Sequence, residues 1–268
     1  MVGDEGSAGG GAARLTASLR AAYDAAADEW ADGPELVYAL LARALVAAAP
    51  APLSGRRVLD LGAGTGAAAR AALAAGAGRV VAADLAVGML RRGGTALHPV
   101  AADAVALPFR DRSFDLVVAA FCLNHLASIA AGLGEARRVG GAIAASTFAP
   151  GWTHPAKAAV DEALRPFGYR PPPWYVALQR ETGAAGPGLL AGHAAAAGFS
   201  RVQVRTAAVP TGLSTPAQLA SWRLGMAHLA PFVRSLDAPR RAAVRHAAER
   251  AVTGAEPLVV SMVILTAS

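Results

Sequence analysis

The chain has 268 residues, of which 54% are hydrophobic, and a formal net charge of +6 at pH 7. It contains no uninterrupted apolar run of the roughly 18 residues that a membrane-spanning helix requires, so the composition indicates a globular protein without a membrane partner. The single cysteine, Cys122, excludes an internal disulfide framework, which is typical of cytoplasmic proteins.

The positive charge raises the question of a nucleic-acid partner. Lysine occurs once, at Lys157, and arginine supplies the other basic side chains that contribute to the net charge. Arginine pairs such as Arg56-Arg57 and Arg240-Arg241 are dispersed along the chain and are not interleaved with aromatic residues. This dispersion favours a solvated basic surface over a nucleic-acid-binding stripe, so we expect no nucleic-acid partner.

The N-terminal segment is rich in glycine and carries Asp4 and Glu5, without the basic start and apolar middle of a secretory signal. Residues 1–13 are therefore predicted to be a disordered tail. The next segment, Leu15 to Trp30, predicts a helix. Pro34 suits the first turn of a second helix that ends near Ala49.

A glycine-rich turn follows the second predicted helix. The apolar run Val58-Leu59-Asp60-Leu61 leads into three glycines at alternate positions, Gly62, Gly64 and Gly66, and helix-forming residues follow from Ala67 to Ala75. This order predicts a strand, a tight turn and a helix start, in which a nucleotide-bearing cofactor can approach bare backbone.

The carboxylate of Asp60 distinguishes between two kinds of cofactor. With Ala67, the glycine spacing also satisfies the looser fingerprint of dinucleotide-binding turns. A carboxylate close to a pyrophosphate would place like charges together in a poorly solvated site, which is costly. A carboxylate suits a cofactor that carries an ammonium and a sulfonium instead. The turn therefore predicts a site for S-adenosylmethionine (SAM).

A second acidic residue ends the next short apolar strand, Arg79 to Ala83. The carboxylate of Asp84 can accept hydrogen bonds from both hydroxyls of an adenosine ribose. Leu85 and Met89 follow on the next turn and are placed to pack against the adenine face. A capping role for Asp84 in the following helix is the alternative, and it is compatible with ribose binding.

A third acidic residue follows a strand predicted over about Leu97 to Ala101. The carboxylate in Asp103-Ala104 can accept a hydrogen bond from the adenine amino group, although ordinary turn chemistry is the alternative. A fourth strand, Phe114 to Val118, is expected beside the first. Ala120, just beyond it, completes the candidate cofactor-binding residues.

The sequence closely resembles class I SAM-dependent methyltransferases, in the ubiquinone/menaquinone-methyltransferase-like small-molecule branch. The resemblance lies in the order of four features: the glycine turn, the acid predicted to bind ribose, the acid predicted to bind adenine, and the strand that begins with Phe-Asp. The resemblance covers residues from about Tyr23 to Phe148. It implies an α/β fold with a doubly wound, mostly parallel seven-stranded sheet of Rossmann-like methyltransferase type and a helical substrate cap. It also implies that Tyr23 covers the methionine end of SAM, where an aromatic ring favours a sulfonium; packing against the core is the alternative.

These patterns divide the chain into three parts. After the tail, residues 14–148 are predicted to be the SAM-binding core with its N-terminal helices, and residues 149–268 complete the sheet and carry the inserted cap helices. Further strands are predicted at Gly140–Phe148, Ser200–Ala208 and Leu258–Thr266. Insertions flank the sixth strand, so we expect substrate specificity in residues 149–198 and 209–256.

Methyl transfer needs alignment and exclusion of water more than a large catalytic apparatus. His125, shortly after the fourth strand, is the first candidate for a general base because its ordinary pKa lies near neutrality. Similar enzymes often carry paired histidines there, and the first position of the pair is Asn124. His154 is the second candidate. The alternatives are a helix-capping His125 and a His154 in a plain loop. The histidine spacing predicts no metal.

We therefore expect a cytoplasmic enzyme, monomeric or homodimeric, that transfers a methyl group from SAM to O, N or C of an apolar or aromatic small molecule in bacterial specialised metabolism. A nicotinamide-dependent oxidoreductase would share the glycine turn, but the Tyr-x-x-x-Lys pair of the short-chain group is missing. A macromolecular methyltransferase is disfavoured because Ala119-Ala120-Phe121-Cys122 stands where an Asn-Pro-Pro-Tyr motif would lie. A SAM-binding cyclase or rearrangement enzyme without methyl transfer stays open.

Overall fold

The computed structural model describes residues 5–181 and 186–268. Within these ranges, seven strands form one sheet that helices flank. The strands are β1 (Arg57–Leu61), β2 (Arg79–Asp84), β3 (Pro99–Ala101), β4 (Leu116–Ala120), β5 (Ile143–Phe148), β6 (Val202–Pro210) and β7 (Val259–Ala267). The helices are α1 (Glu5–Asp32), α2 (Pro34–Ala47), α3 (Ala67–Ala74), α4 (Val87–Gly93), α5 (Ile129–Val139), α6 (Pro155–Leu164), α7 (Pro173–Glu181), α8 (Pro187–Ala196), α9 (Pro216–Leu224), α10 (Ala230–Ser235) and α11 (Ala238–Ala251).

The strand order is β3-β2-β1-β4-β5-β7-β6. The first five strands run parallel, and β7 lies antiparallel between β5 and β6. Strands β2 and β3 are added on one side of β1, and β4 and β5 are added on the other side. This change of side opens a crevice at the carboxyl ends of β1 and β4, where α/β proteins bind ligands. The predicted mostly parallel seven-stranded sheet is confirmed.

Both faces of the sheet centre are covered, which explains the apolar runs in the sequence. Residues Leu59, Val117 and Val118 are fully buried. One face packs against a cluster that includes residues of α2, α3, α6, α9 and α11, and the other against residues of α5 and α8. Asp60 is the exception, because it is a carboxylate that is only 1% exposed in the middle of β1.

Some strand boundaries differ from the prediction. Phe114, the predicted start of the fourth strand, makes only an isolated bridge to Gly140, and β4 begins at Leu116. Thr95–Leu97 form a 3₁₀ turn, so β3 begins two residues later than expected, at Pro99. In both places, apolar residues suggest a strand, but the backbone hydrogen bonds form a turn or an isolated bridge instead.

Helix α1 begins at Glu5, within the segment predicted to be a disordered tail. Residues 5–13 are therefore helical, and residues 1–4 lie outside the described part of the chain.

The helices after β5 fall in the two ranges where insertions were expected. Helices α6, α7 and α8 precede β6, and α9, α10 and α11 lie between β6 and β7. Along the described chain, no helix combines the length and the apolarity needed to cross a membrane.

Candidate functional site

A cavity of about 580 Å³ lies at the carboxyl ends of β1, β2 and β4, under α1 and α2. This cavity is lined by nearly all of the residues that the sequence predicts for the site. They are Tyr23, Asp60, Gly62, Gly64, Asp84, Leu85, Met89, Asp103, Ala104, Ala120 and His125. The structure thus brings together side chains that are separated by up to about a hundred positions in the chain.

Two glycines of the turn have different surroundings: Gly62 is packed closely against another residue, whereas Gly64 has open space beside it. Gly62 and Gly64 have φ angles of 68° and 54°, which side chains other than glycine rarely adopt. A Cβ atom on Gly62 would lie 2.5 Å from the sulfur of Cys122. A Cβ atom on Gly64 would meet only the terminal carbon of Met89, at 3.4 Å. Gly64 therefore leaves room that a ligand against the backbone would use.

Asp60 is buried with one oxygen unpaired. Its Oδ2 accepts a hydrogen bond from the amide of Ala69, in the first turn of α3, at 2.7 Å. Its Oδ1 is buried and has no partner among the described residues. Burial raises the pKa of this carboxyl to about 7. A cationic group of a ligand would satisfy the free oxygen and restore the ionised form, which fits the ammonium of SAM.

Asp84 joins the glycine turn to the loop after β2. Its Oδ2 accepts from the amide of Gly64 at 2.7 Å, and its Oδ1 accepts from the amide of Ala86 at 2.8 Å. Each carboxylate oxygen has further acceptor capacity, so the two can still take hydrogen bonds from vicinal hydroxyls. Burial raises the pKa of Asp84, and the backbone amides oppose that shift. Ala86, and not Asp84, occupies the N-cap position of α4.

A contact that the sequence did not predict joins the glycine turn to α2, and two of its residues, Glu35 and Thr65, also line the cavity. The Glu35 carboxylate, in the first turn of α2, accepts hydrogen bonds from the Thr65 hydroxyl and the Arg70 guanidinium. Arg70 also donates to the Thr65 carbonyl oxygen at 2.8 Å. We call Glu35, Thr65 and Arg70 the turn clamp. In the sequence, Glu35 is indistinguishable from an ordinary acidic residue at a helix start.

Helix α1 lies across the cavity and contacts two of its loops. The Tyr23 hydroxyl is 3.3 Å from Nε2 of His125, and Asp24 accepts a hydrogen bond from the amide of Gly88 at 2.6 Å. A Cβ atom on Gly88 would lie 2.9 Å from the Asp24 carbonyl oxygen, so glycine permits this approach. Tyr23 lines the cavity and also packs against Trp30.

His125 lies in a 3₁₀ turn after β4 and faces the cavity. Burial lowers its pKa to about 4, so its imidazole is neutral at pH 7. Its Nδ1 is buried and has no partner among the described residues. Ser128 caps α5 by accepting from the amide of Ala131, so the capping alternative for His125 does not hold.

His154 does not line the cavity, although the sequence predicts it as a candidate catalytic residue. It is the N-cap of α6, where its Nδ1 accepts from the amide of Ala156 at 3.2 Å. Its Nε2 lies 3.2 Å from the carbonyl oxygen of Glu256. Both ring nitrogens are therefore engaged with backbone groups in a residue that is 6% exposed, which gives His154 a structural role.

Part of the cavity wall is aromatic. The rings of Tyr23, Trp30, Tyr38 and Phe121 line it, and neighbouring centroids in this order are 5.5, 4.8 and 5.4 Å apart. Phe121 has a φ angle of 54°, which is unusual for a bulky residue and directs the chain away from β4. We call the part of the wall formed by Asp60, Asp84 and Asp103 the carboxylate end of the cavity and the part formed by the four rings its aromatic end.

Comparison with known proteins agrees with this geometry. Residues 59–144 match the family described as the methyltransferase domain. This stretch is similar to a methyltransferase domain. The chain is 47% identical over 97 residues to the demethylmenaquinone methyltransferase of Clavibacter sepedonicus, in an alignment that covers 34% of this chain and 39% of that protein. With the demethylmenaquinone methyltransferase of Mycobacterium sp. strain KMS, it shares 50% identity over 86 residues, which cover 32% and 37%.

The chain thus matches about two fifths of the length of these curated relatives. Among solved structures, a phosphoethanolamine N-methyltransferase 2 from Haemonchus contortus, in complex with phosphomonomethylethanolamine and S-adenosylhomocysteine, has the same fold. The TM-score is 0.51 at 16% identity, over 84% of this chain and 51% of that chain. The resemblance to class I SAM-dependent methyltransferases of the menaquinone-methyltransferase-like type is confirmed over this matched stretch.

Proposed function

We propose that the protein binds SAM in the 580 Å³ cavity and transfers its methyl group to O, N or C of an apolar or aromatic small molecule. The observation that carries this proposal is the convergence of three carboxylates on one end of the cavity, each from a loop or strand of the stretch that matches the methyltransferase domain. The physiological setting that we propose is bacterial specialised metabolism in the cytoplasm.

The carboxylate end suits the polar parts of SAM. Asp84 would accept from the ribose hydroxyls and Asp103 from the adenine amino group, while Leu85, Met89 and Ala104 would pack against the adenine. The free Oδ1 of Asp60 would accept from the ammonium group. Gly62, Gly64 and Ala120 would leave the backbone open to the ligand, and Tyr23 would cover the methionine end.

The aromatic end suits the acceptor. When bound, SAM supplies a methyl group on a positively charged sulfur, and the protein contributes alignment and a dry surface. The neutral imidazole of His125 holds its Nδ1 free for a hydrogen bond to the acceptor, and the Tyr23 hydroxyl fixes the ring through Nε2. This arrangement favours positioning of the acceptor by His125 over strong general-base catalysis, because the lowered pKa makes the imidazole a weak base.

The inserted helices would complete the acceptor side as the substrate cap. Trp174, in α7, packs with Tyr23 in one small cluster, and Trp222, in α9, belongs to the cluster against which Tyr38 packs. Tyr23 and Tyr38 of the cavity therefore pack in clusters that include residues from the regions that precede and follow β6.

Two measurements test the proposal. Calorimetric titration of the protein with SAM should give saturable binding, and Asp84→Ala should weaken it at least about tenfold because charged acceptor bonds to two hydroxyls are lost. Asp115→Ala is the control, since this carboxylate forms an exposed ion pair with Arg57 at the opposite end of β1. Absence of binding at millimolar SAM would refute the proposal.

The second measurement identifies the reaction. Incubation with SAM and a bacterial metabolite extract should yield a product that is heavier than its precursor by one methylene group in mass spectrometry. A SAM-dependent product with the mass of its precursor would instead support the cyclase or rearrangement alternative.

A further inference from the structure

A group of polar side chains from the segments before and after β6 lies inside the protein, near the aromatic end of the cavity. Arg223 of α9 is only 2% exposed, and its guanidinium makes a bidentate pair with Asp161 of α6, in which Nε donates to Oδ1 at 3.1 Å and Nη2 donates to Oδ2 at 2.8 Å. Tyr175 of α7 lies nearby. We call the whole group the polar cap cluster. Its members are Lys157, Asp161, Tyr169, Tyr175, Arg223 and His228.

Two members of the cluster are buried without a hydrogen-bond partner among the described residues. They are the hydroxyl of Tyr169, which is 1% exposed, and Nε2 of His228, which is 5% exposed. The His228 ring stacks on Tyr175, with centroids 3.7 Å apart and an interplanar angle of 2°. Buried polar atoms are nearly always paired in folded proteins, so two unpaired ones in a single cluster indicate a missing partner.

The cluster also holds more positive than negative charge. Arg223 and Lys157 are cationic, and Asp161 is the carboxylate that pairs with Arg223. The Lys157 ammonium lies 5.0 Å from the ring centroid of Trp152 and forms no ion pair in the described part of the chain. Burial and the nearby Arg223 lower the pKa of Lys157 to about 8, and Asp161 opposes that shift only in part.

A series of ring contacts connects the cluster to the cavity, starting from Trp152, which lies beside the Lys157 ammonium. The rings of Trp152 and Phe148 are stacked with centroids 4.9 Å apart, and the centroids of Phe148 and Phe121 are 4.6 Å apart. Phe121 lines the cavity, so the cluster is connected to the aromatic part of the cavity wall.

We propose that the polar cap cluster binds an anionic oxygen group, such as a carboxylate, on the methyl acceptor. Lys157 and Arg223 supply the opposite charge, and the Tyr169 hydroxyl and the Nε2–H tautomer of His228 donate hydrogen bonds to the oxygens. The acceptor is then an aromatic acid whose ring lies along the aromatic wall. This inference rests on the proposed function, because it names the chemical class of the acceptor.

The single lysine of the chain permits a direct test. Reductive methylation with carbon-13 formaldehyde labels the Lys157 amine and the N-terminal amine, and it keeps their positive charge. Benzoate is the anionic probe and benzamide its neutral counterpart. Benzoate should shift the Lys157 methyl signal saturably and raise the pKa of Lys157, while benzamide should do neither.

The N-terminal signal in the same spectrum is the internal control and should not move with either probe. If benzoate at tens of millimolar leaves the Lys157 signal unchanged, or if benzamide shifts it equally, the inference is wrong.

A variant separates ligand binding from a purely structural role. Tyr169→Phe removes a hydroxyl that has no partner, so the free protein should keep or increase its melting temperature. The same variant should weaken benzoate binding roughly five- to tenfold, the loss expected for one hydrogen bond to a charged group. A lower melting temperature with unchanged benzoate affinity would show a structural role and overturn the assignment.

Calorimetry with SAM distinguishes failure of this inference from failure of the proposed function. SAM binding that persists without any benzoate response overturns only the anionic class of the acceptor. Loss of SAM binding in the unmodified wild-type protein overturns the proposed function, and with it the assignment of the cluster to a methyl acceptor.

Discussion

Asp60 shows how a single side chain can trade stability for binding. Its ordinary pKa of 3.8 rises to about 7 in the folded protein because the carboxylate is desolvated. A raised carboxyl pKa means that the folded state retains a proton that the unfolded state has lost. The contribution of Asp60 to stability is thus present below about pH 4 and is lost as the pH rises toward about 7.

Asp60→Asn should therefore stabilise the ligand-free protein at pH 8 while it weakens SAM binding. Removal of the buried charge should raise the free energy of unfolding by about 1–4 kcal/mol at pH 8 and by almost nothing near pH 4. Urea denaturation at the two pH values measures this difference. Calorimetry should find SAM affinity reduced at least about tenfold, since the ammonium loses a charged acceptor. Equal destabilisation at both pH values would contradict this account.

Because His125 is buried, we expect turnover to depend on pH differently from an enzyme with an ordinary histidine at this position. With a pKa of about 4, His125 does not titrate between about pH 6 and 8. Turnover should then be independent of the ionisation of His125 in this range and should follow the pKa of the acceptor itself.

His125→Ala should lower kcat less than about tenfold and leave the SAM dissociation constant nearly unchanged. His125→Gln is the matched variant, because it retains a hydrogen-bonding group and should recover part of the loss. Steady-state kinetics across pH test both statements. A loss of turnover of about a thousandfold, together with a wild-type ionisation near neutrality, would instead indicate general-base catalysis.

At the scale of elements, the N-terminal helices hold the cofactor loops in place. Helix α2 contacts the glycine turn through the turn clamp, and α1 contacts α4 through Asp24 and the His125 loop through Tyr23. Three loops that follow three different strands are thus tied to two helices that precede the sheet in the chain.

Glu35→Gln should test the turn clamp. The amide retains hydrogen bonding to Thr65 but loses the charge that pairs with Arg70, so SAM affinity should fall about three- to tenfold. The Glu35 side chain is 16% exposed, and the fold should survive the change. Asp115→Asn breaks an exposed ion pair at the other end of β1 and is the matched control, with SAM affinity unchanged. Equal effects of both substitutions would rule out a specific role of the clamp.

Sequence predicts well those features that are determined by residues close together in the chain. An apolar strand followed by glycines or an acid specifies both a strand end and a cavity residue, so Gly64 and Asp84 could be located without a structure. The role of Glu35 depends on a contact with a residue 30 positions away, and that of His154 on a carbonyl 102 positions away. Convergence of Lys157, Tyr169 and Arg223 likewise requires the packing of three inserted segments, which no local pattern encodes.

At the scale of the whole molecule, ligand binding should be visible as global stabilisation. A ligand at a hundredfold excess over its dissociation constant adds about 2.7 kcal/mol to the stability of the folded state. For a chain of this size, S-adenosylhomocysteine should raise the melting temperature by about 5–10 °C. Differential scanning fluorimetry measures the shift. Asp84→Ala should require a correspondingly higher concentration for the same shift, and an equal response of both proteins would remove Asp84 from the site.

The position of β7 has a consequence for the order of events on the ribosome. Strands β1 to β5 can pair as they emerge, because each has its neighbour in the first 148 residues. Strand β6 has only β7 as a partner in the sheet, and 48 residues separate Pro210 from Val259. Until those residues have been translated, β6 lacks its only neighbour in the sheet. A nascent chain can therefore hold β1 to β5 already paired while β6 still waits for the last strand.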